Sequence, residues 1–370
     1  MKITVFFTYG YSLKTWYDSG TIERELEIYK KINEKYQVNF TFVTYGNEED
    51  LKYDTNIKNS EVVPIYSLIK YNKNSVLRYL NSFKIPYKIR MITRNSDILH
   101  QHQLLGSWIP IICKLFSNKP LLIRTGYDMY QFSLQEKKNY IIKFLYKFLT
   151  NISLFICDIY TVTSNSDRNL FKSSEKVRLR PNWVYQSGSE SLVGRFENRI
   201  LSVGRLADQK NYEYLINEFS NTKGEIVLDI YGSGERFEYL NNLAKESNVD
   251  LNIHKNVKHD DLLNIYKKYK FFISTSLFEG NPKTILEAMS LGCVVLASNI
   301  PNHSEIIINE NNGYLFEMKE NNLLTLYSKI KNQDEKLNNI SENAKKDILD
   351  SNSLELLTEK IYSDYTDLIK

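Results

Sequence analysis

Short apolar runs alternate with longer stretches of helical periodicity along almost the whole chain. In the first half, "ITVFFT" (3–8), "NFTFVTY" (39–45), "EVVPIY" (61–66), "DILHQH" (97–102), "PLLIRT" (120–125) and "IYTVTS" (159–164) are rich in β-branched and aromatic residues and read as strands. The second half repeats the pattern with "RILSVG" (199–204), "EIVLDIYG" (225–232), "LNIHKN" (251–256), "KFFIST" (270–275), "CVVLAS" (293–298) and "GYLF" (313–316). Helical patterns such as "GTIERELEIYKKINEKY" (20–36) lie between most of these runs. A βαβα order of this kind predicts parallel sheets covered by helices on both faces.

The alternation restarts near residue 199, after the Pro-, Gly- and Ser-containing stretch "RPNWVYQSGSESLVGRFENR". That places a linker near 182–198. The expected division is a first Rossmann-like domain over 1–182, a second over 183–345, and a final helix over 346–370 returning to the first domain. A length of 370 residues suits two domains of ordinary size. Two doubly wound domains facing each other would bind ligands in a cleft at the carboxyl ends of their sheets.

Composition narrows the class. A chain that is 42% hydrophobic and 25% charged, with no apolar run near the ~18–20 residues of a membrane span, reads as a soluble protein. The start, "MKITVFFTYG", reads as a first strand and not as a signal peptide. Cys113, Cys157 and Cys293 are odd in number, widely separated and outside any C-x-x-C pair. That argues against a disulfide framework or a zinc site and favours a reducing cytoplasm. Charge is unevenly placed: residues 62–172 hold 16 Lys/Arg against 5 Asp/Glu, whereas the whole chain is only +4. From Lys70 to Arg94 there are seven basic residues and no acid, a composition suited to an anionic partner such as nucleic acid or a lipid surface.

Candidate chemistry concentrates in the second half. In "SLFEGNPKTILEAMSLG" (276–292), Asn281 is a good N-cap and Pro282 is favoured at a first helical position. A helix starting there aims the amides of Lys283 and Thr284 and its positive dipole end at an anion. Glu287 lies one turn on from Lys283, where it could accept hydrogen bonds from vicinal hydroxyls; Glu279, outside the helix, could do so for another polyol. In "RILSVGRLADQKNYEYLINEF" (199–219), a strand ends at Gly204, and Arg205 and Lys210 follow within reach of one diphosphate. "IYGSGE" (230–235) puts Gly232 and Gly234 in a turn but lacks the third glycine of a dinucleotide fingerprint, so no nicotinamide cofactor is expected. In the first half, Gly20 precedes a helix, and His100 and His102 lie at i, i+2 on one face of a strand with no third ligand beside them. No D-x-D, H-E-x-x-H, G-x-S-x-G or phosphate-loop motif is present, so no metal site is expected.

Together these residues resemble glycosyltransferase family 4, a retaining family with the GT-B fold. Its E-x7-E signature is matched by Glu279-Gly280-Asn281-Pro282-Lys283-Thr284-Ile285-Leu286-Glu287, and the likeness extends through Gly204-Arg205…Lys210-Asn211, "DIYGSGE" (229–235) and "SNIPNHSEIIINENNGYLF" (298–316). The first domain matches more loosely, through "SGTIERE", "DILHQH" and "VRLRPNWV". The resemblance implies an α/β protein of GT-B architecture that transfers a hexosyl or N-acetylhexosaminyl group from a UDP- or GDP-linked sugar, without metal or other cofactor. Arg205 and Lys210 would grip the diphosphate, and Glu287 the ribose. Glu279 and the backbone of Gly280, Asn281 and Pro282 would contact the transferred sugar, Val257 the base, and Gly20 the phosphates from the first domain. Relatives carry a His-Gly pair after the fifth strand, where this chain has Thr125-Gly126; His102, Arg124 or Asp128 are the candidates to stand in. The implied acceptor is a glycan or lipid-linked glycan of bacterial surface polysaccharide synthesis. The basic first domain and "KKNYIIKFLYKFL" (137–149) would then meet an anionic inner-leaflet surface, not nucleic acid. The rival reading is a catalytically silent sugar-nucleotide-binding subunit of a membrane assembly complex.

Overall fold

The computed structural model describes residues 1–53, 55–171, 174–185, 191–222 and 224–370. The chain divides into two compact units, Met1–Pro181 with Leu357–Lys370, and Asn182–Leu356. Part of the linker expected over 182–198, residues 186–190, lies outside the described residues.

The first unit is built on a parallel sheet of seven strands: β1 (Lys2–Phe6), β2 (Asn39–Thr44), β3 (Glu61–Pro64), β4 (Ile98–Gln101), β5 (Leu121–Arg124), β6 (Ile159–Val162) and β7 (Val177–Leu179), in the order β3-β2-β1-β4-β5-β6-β7. The second has six parallel strands: β8 (Phe196–Val203), β9 (Val227–Tyr231), β10 (Asp250–His254), β11 (Tyr269–Ser274), β12 (Val294–Ser298) and β13 (Tyr314–Phe316), in the order β10-β9-β8-β11-β12-β13. The central strands are buried on both faces, β11 and β12 along their whole length, which is why they read as continuous apolar runs instead of alternating ones. In each unit the first strand has neighbours reached in opposite directions, so the topology reverses beside β1 and beside β8, the crevice where doubly wound sheets bind ligands.

One strand escapes the sequence pattern. Three-residue β7 carries Arg178, and Arg180 follows it; both side chains turn to the fully buried Asp364 of the last helix, Leu354–Ile369. Arg178 Nη1 donates to Asp364 Oδ1 at 2.6 Å, while Arg180 engages both carboxylate oxygens at 2.5 and 2.7 Å. Tyr362 stacks on Tyr36 at 3.6 Å, and the Tyr365 hydroxyl meets His100 Nδ1 at 2.7 Å. The C-terminal helix is thus held to the first unit by charge, ring stacking and a buried hydrogen bond.

Candidate active site

In the second unit the candidate residues gather at the carboxyl ends of β8, β9 and β11. Gly204, after β8, has φ +158°, and a side chain there would strike the Lys210 stem at 2.8 Å. Gly232, after β9, lies so near that its Cβ would fall 1.9 Å from the Gly204 carbonyl oxygen. Only glycine allows these two turns to touch. The resulting loop runs Arg205 outward and folds Lys210 back over the end of the sheet. There the Lys210 ammonium lies 2.5 Å from Glu279 Oε1.

Glu279 is held on several sides. Ser276 Oγ donates to Oε1 at 2.7 Å and Gln209 Nε2 reaches Oε2 at 3.4 Å. Gln209 is itself anchored on the Phe278 carbonyl at 2.8 Å and receives a bond from Arg205 Nη2 at 3.2 Å. Burial pushes the Glu279 carboxyl up, but the charge and hydrogen bond of the Lys210 ammonium, with the Ser276 hydrogen bond, outweigh it and hold the group below the usual carboxylate range. An ionised carboxylate, a lysine and an exposed arginine therefore share one edge.

The helix beginning beside them differs in detail from the expectation. It spans Lys283–Ser290 with Pro282 as the flanking residue, and Asn281 does not cap it. The Asn281 carboxamide instead accepts from the Asn182 amide at 2.8 Å, while Asn182 Nδ2 donates to the Asn281 carbonyl at 2.6 Å. A tertiary pair of hydrogen bonds outcompetes one local cap. Gly280 and Pro282 are buried beneath this turn, and Lys283, Thr284 and Val257 are half-buried.

Glu287 is buried and already engaged: His259 Nε2 donates to its Oε1 at 3.0 Å, and the Tyr266 hydroxyl approaches Oε2 at 3.4 Å. Because a carboxylate only accepts, His259 carries its proton on Nε2. Neither partner stood out in the sequence. A second histidine, His303, packs fully buried within electrostatic reach of Glu279 and Lys210. Its Nδ1 donates to the Ser298 carbonyl at 2.8 Å, Ser298 Oγ donates to the Ser276 carbonyl at 2.6 Å, and so a chain of bonds reaches the residue that orients Glu279.

Burial, opposed in part by Glu279, brings the His303 imidazole down to about 4, while its Nε2 has no hydrogen-bond partner among the described residues. Protonation would put a buried N–H there without an acceptor. The unfolded chain gains this proton below about 6.5 and the folded one only near 4, so stability falls as pH drops through that window. The loss should approach about 3 kcal/mol. Urea unfolding of the wild type and of His303→Gln across pH 7 to 4 checks this: the variant's curve should be flatter by that amount.

In the first unit a cavity of about 310 Å³ opens at the ends of β1, β4 and β5, lined among others by Trp16, Glu25, His102, Gln103, Thr125 and Tyr127. His102 sits between the Tyr29 hydroxyl, 2.9 Å from Nδ1, and Glu25 Oε2, 3.4 Å from Nε2. The structure thus brings His102 to the cavity and keeps His100 in the core with Tyr365. Arg124 lies half-buried beside it in the field of Glu25. Asp128 does something else: its buried carboxylate caps the helix Met129–Gln135, accepting from the Gln131 amide at 2.7 Å. Gly20 adopts φ +70°, and its amide donates to the Tyr17 carbonyl at 2.9 Å, so that N–H is spent within its own turn.

Residues 192–347 match the family model for glycosyl transferases, group 1. The matched region holds the whole Gly204–Lys210 and Glu279–Glu287 arrangement. Among curated proteins, the chain is 25% identical over 324 residues to the Escherichia coli UDP-Gal:alpha-D-GlcNAc-diphosphoundecaprenol alpha-1,3-galactosyltransferase, covering 80% of this chain and 81% of that one. It is also 25% identical over 291 residues to a Campylobacter jejuni N-acetylgalactosaminyltransferase whose named acceptor is a diphospho-undecaprenol glycan, covering 75% and 79%. Among solved structures, sucrose-phosphate synthase from Thermosynechococcus elongatus superposes with TM-score 0.81 at 14% identity over 100% of this chain and 99% of that one. Anabaena HepE in complex with UDP gives 0.76 at 13% identity over 99% and 100%. The fold is GT-B, with two Rossmann-like parallel-sheet units, and part of the second unit matches the group 1 glycosyl transferase model.

Within that region, the elements that escaped sequence reasoning are the residues that hold the glutamates: Ser276 and Gln209 for Glu279, His259 and Tyr266 for Glu287. Ser276 stood inside the quoted stretch, three positions before Glu279, and its spacing was a usable signal.

Proposed function

We propose that this protein is a retaining, metal-independent glycosyltransferase. It moves a hexosyl or N-acetylhexosaminyl group from a UDP- or GDP-linked sugar to a glycan or lipid-linked acceptor in bacterial surface polysaccharide synthesis. The observation that carries the reading is the Lys210–Glu279 pair at 2.5 Å, beside Arg205 and the start of the helix Lys283–Ser290.

The chemistry follows from charge. As the bond from the anomeric carbon to the diphosphate breaks, negative charge gathers on the leaving phosphate, and cations fixed in advance stabilise it. Lys210 supplies one fixed charge, while Arg205, exposed and bonded to Gln209, is placed to meet the second phosphate. Glu279 then accepts from sugar hydroxyls, and its ionised state makes those bonds charge-assisted. Glu287, held by His259 and Tyr266, is placed to accept from the ribose hydroxyls. Glu279 and Glu287 are both engaged by neighbouring side chains, in keeping with front-face attack in which the departing phosphate takes the acceptor's proton. Neutralisation by Arg205 and Lys210 supplies what a metal ion would otherwise provide.

Incubating the protein with a panel of nucleotide sugars and a lipid-linked acceptor extract tests this. The expected product carries one added sugar by mass, with the donor's anomeric configuration retained by NMR, at a rate unchanged by EDTA. An inverted product would sink the mechanism, and no product from any donor would sink the activity.

A further inference from the structure

Asp229 is a charge in the middle of a sheet. It stands on β9, three positions before Gly232, between Leu228 and Ile230, which belong to the core on one face. Side chains alternate along a strand, so Asp229 points to the other face, and it is fully buried there. A buried carboxylate is costly unless it is paired and hydrogen-bonded. Arg199 meets it with two bonds, Nη2 to Oδ1 at 2.6 Å and Nε to Oδ2 at 2.8 Å. Asn252 Nδ2 and His254 Nε2 donate to Oδ1 at 3.2 and 3.1 Å, and the Tyr269 hydroxyl donates to Oδ2 at 2.9 Å. Since a carboxylate only accepts, His254 carries its proton on Nε2. Burial pushes the carboxyl up, but the bonds from Arg199, His254 and Tyr269 outweigh it and hold it below its ordinary value.

Stability alone does not call for this arrangement. Well-packed apolar residues in place of a buried ion pair are often as stable or more so. The cluster instead joins four consecutive strands of the sheet: Arg199 lies on β8, Asp229 on β9, Asn252 and His254 on β10, and Tyr269 on β11.

Its effect falls at the carboxyl edge. β10 is an edge strand, paired only to β9, and His254 is its last residue. The end of a strand with a single neighbour opens readily. Yet the His254 carbonyl accepts the Gly232 amide at 2.9 Å, and the Tyr231 carbonyl accepts the Gly204 amide at 3.0 Å. The Tyr231 ring stacks on the His254 ring, with centroids 4.3 Å apart and planes 15° apart. The imidazole that Asp229 holds therefore carries the Tyr231 ring, and these two residues present the carbonyls from which both glycine turns hang. The Gly204 turn leads to Arg205 and Lys210.

We propose that Asp229 is a positioning residue for sugar transfer. Acting through His254 and Tyr231, it keeps the end of β10 and the two glycine turns in register, and so fixes where Arg205 and Lys210 meet the diphosphate. The inference rests on the reading of those two cations as the diphosphate grip and adds the residues that aim them.

Three variants and a control test it, at saturating donor and well below every unfolding midpoint. Asp229→Asn keeps the shape and removes the charge. His254→Leu removes the donor at the end of β10, whereas His254→Gln restores an Nε2 donor the same number of bonds from the backbone. Ile330→Ala hollows the core on the opposite face of the sheet and supplies a loss of stability alone. Asp229→Asn and His254→Leu should each lower kcat at least about tenfold, as expected when fixed cations are misplaced by a fraction of an ångström. His254→Gln should recover most of that loss, and Ile330→Ala should keep its kcat at a lowered midpoint. Hydrogen exchange at the Gly204 and Gly232 amides should quicken in Asp229→Asn and His254→Leu and not in Ile330→Ala. Unchanged kcat in both network variants overturns the proposal, as does an equal fall in Ile330→Ala at an equal loss of midpoint. Should Asp229→Asn fail to fold, the His254 pair decides, and equal losses in Leu and Gln overturn it. A wild type that transfers no sugar from any donor overturns the activity instead. Exchange at the two glycine amides then decides the positioning role, which fails if neither network variant alters it.

Discussion

Lys210→Met should lower kcat for sugar transfer by at least about a hundredfold, the usual cost of removing one fixed donor to developing charge. Methionine keeps the unbranched stem, which matters because that stem lies against Gly204. It removes the ammonium and nothing else. The complication is Glu279, which would lose its cation while its side chain stays largely enclosed; the pair's side chains are 14% and 10% exposed. Breaking a buried pair from one side costs roughly 3–5 kcal/mol, and the bonds from Ser276 and Gln209 will offset part of that. Stability and catalysis must therefore be read separately. Adding Glu279→Gln should restore most of the unfolding free energy without restoring transfer. Affinity for UDP should also fall in Lys210→Met, since the ground-state diphosphate loses the same charge. Turnover close to that of the wild type at full donor saturation would show that Lys210 serves only to seat Glu279.

The degree to which this site was legible depends on the range of the interactions involved. The strands were readable because burial on both faces leaves an apolar run that polar neighbours interrupt, as in "CVVLAS". β7 was not, because it is three residues long and two nearby arginines, Arg178 and Arg180, answer to Asp364, 186 and 184 positions away. The spacing of Glu279 and Glu287 was visible, whereas their partners were not: Lys210 is 69 positions from Glu279 and His259 is 28 from Glu287. Asn281 shows the opposite failure. Its capping chemistry is sound locally, yet Asn182, 99 positions back, takes its carboxamide. For the helix Tyr140–Ile156 the period was plain, but period alone cannot say which stripe faces water. That requires the neighbours.

Gly232→Ala should cost transfer as much as the loss of a catalytic side chain, although it adds one methyl group to a residue with no side chain of its own. The new Cβ would sit 1.9 Å from the Gly204 carbonyl oxygen. Both partners in that clash are backbone, and both are tied. The Gly232 amide donates to the His254 carbonyl at 2.9 Å, and the Gly204 amide to the Tyr231 carbonyl at 3.0 Å. Relief must come from shifting the two turns apart, because β8 and β9 are both interior strands of the sheet, and the turn at Gly204 then moves. Arg205 and Lys210 ride on that turn. A displacement of about 1 Å there is enough to cost about a hundredfold in rate, and the backbone overlap should take about 1–3 kcal/mol of stability with it. Gly194→Ala is the matched control. Its φ of +80° makes alanine strained, but nothing lies within 4 Å of the added Cβ. It should lose about 1–2 kcal/mol and keep its kcat. Equal stability losses with unequal activity losses would locate the effect in the Gly204–Lys210 turn; if Gly232→Ala keeps kcat within a few-fold, the turn does not position the cations.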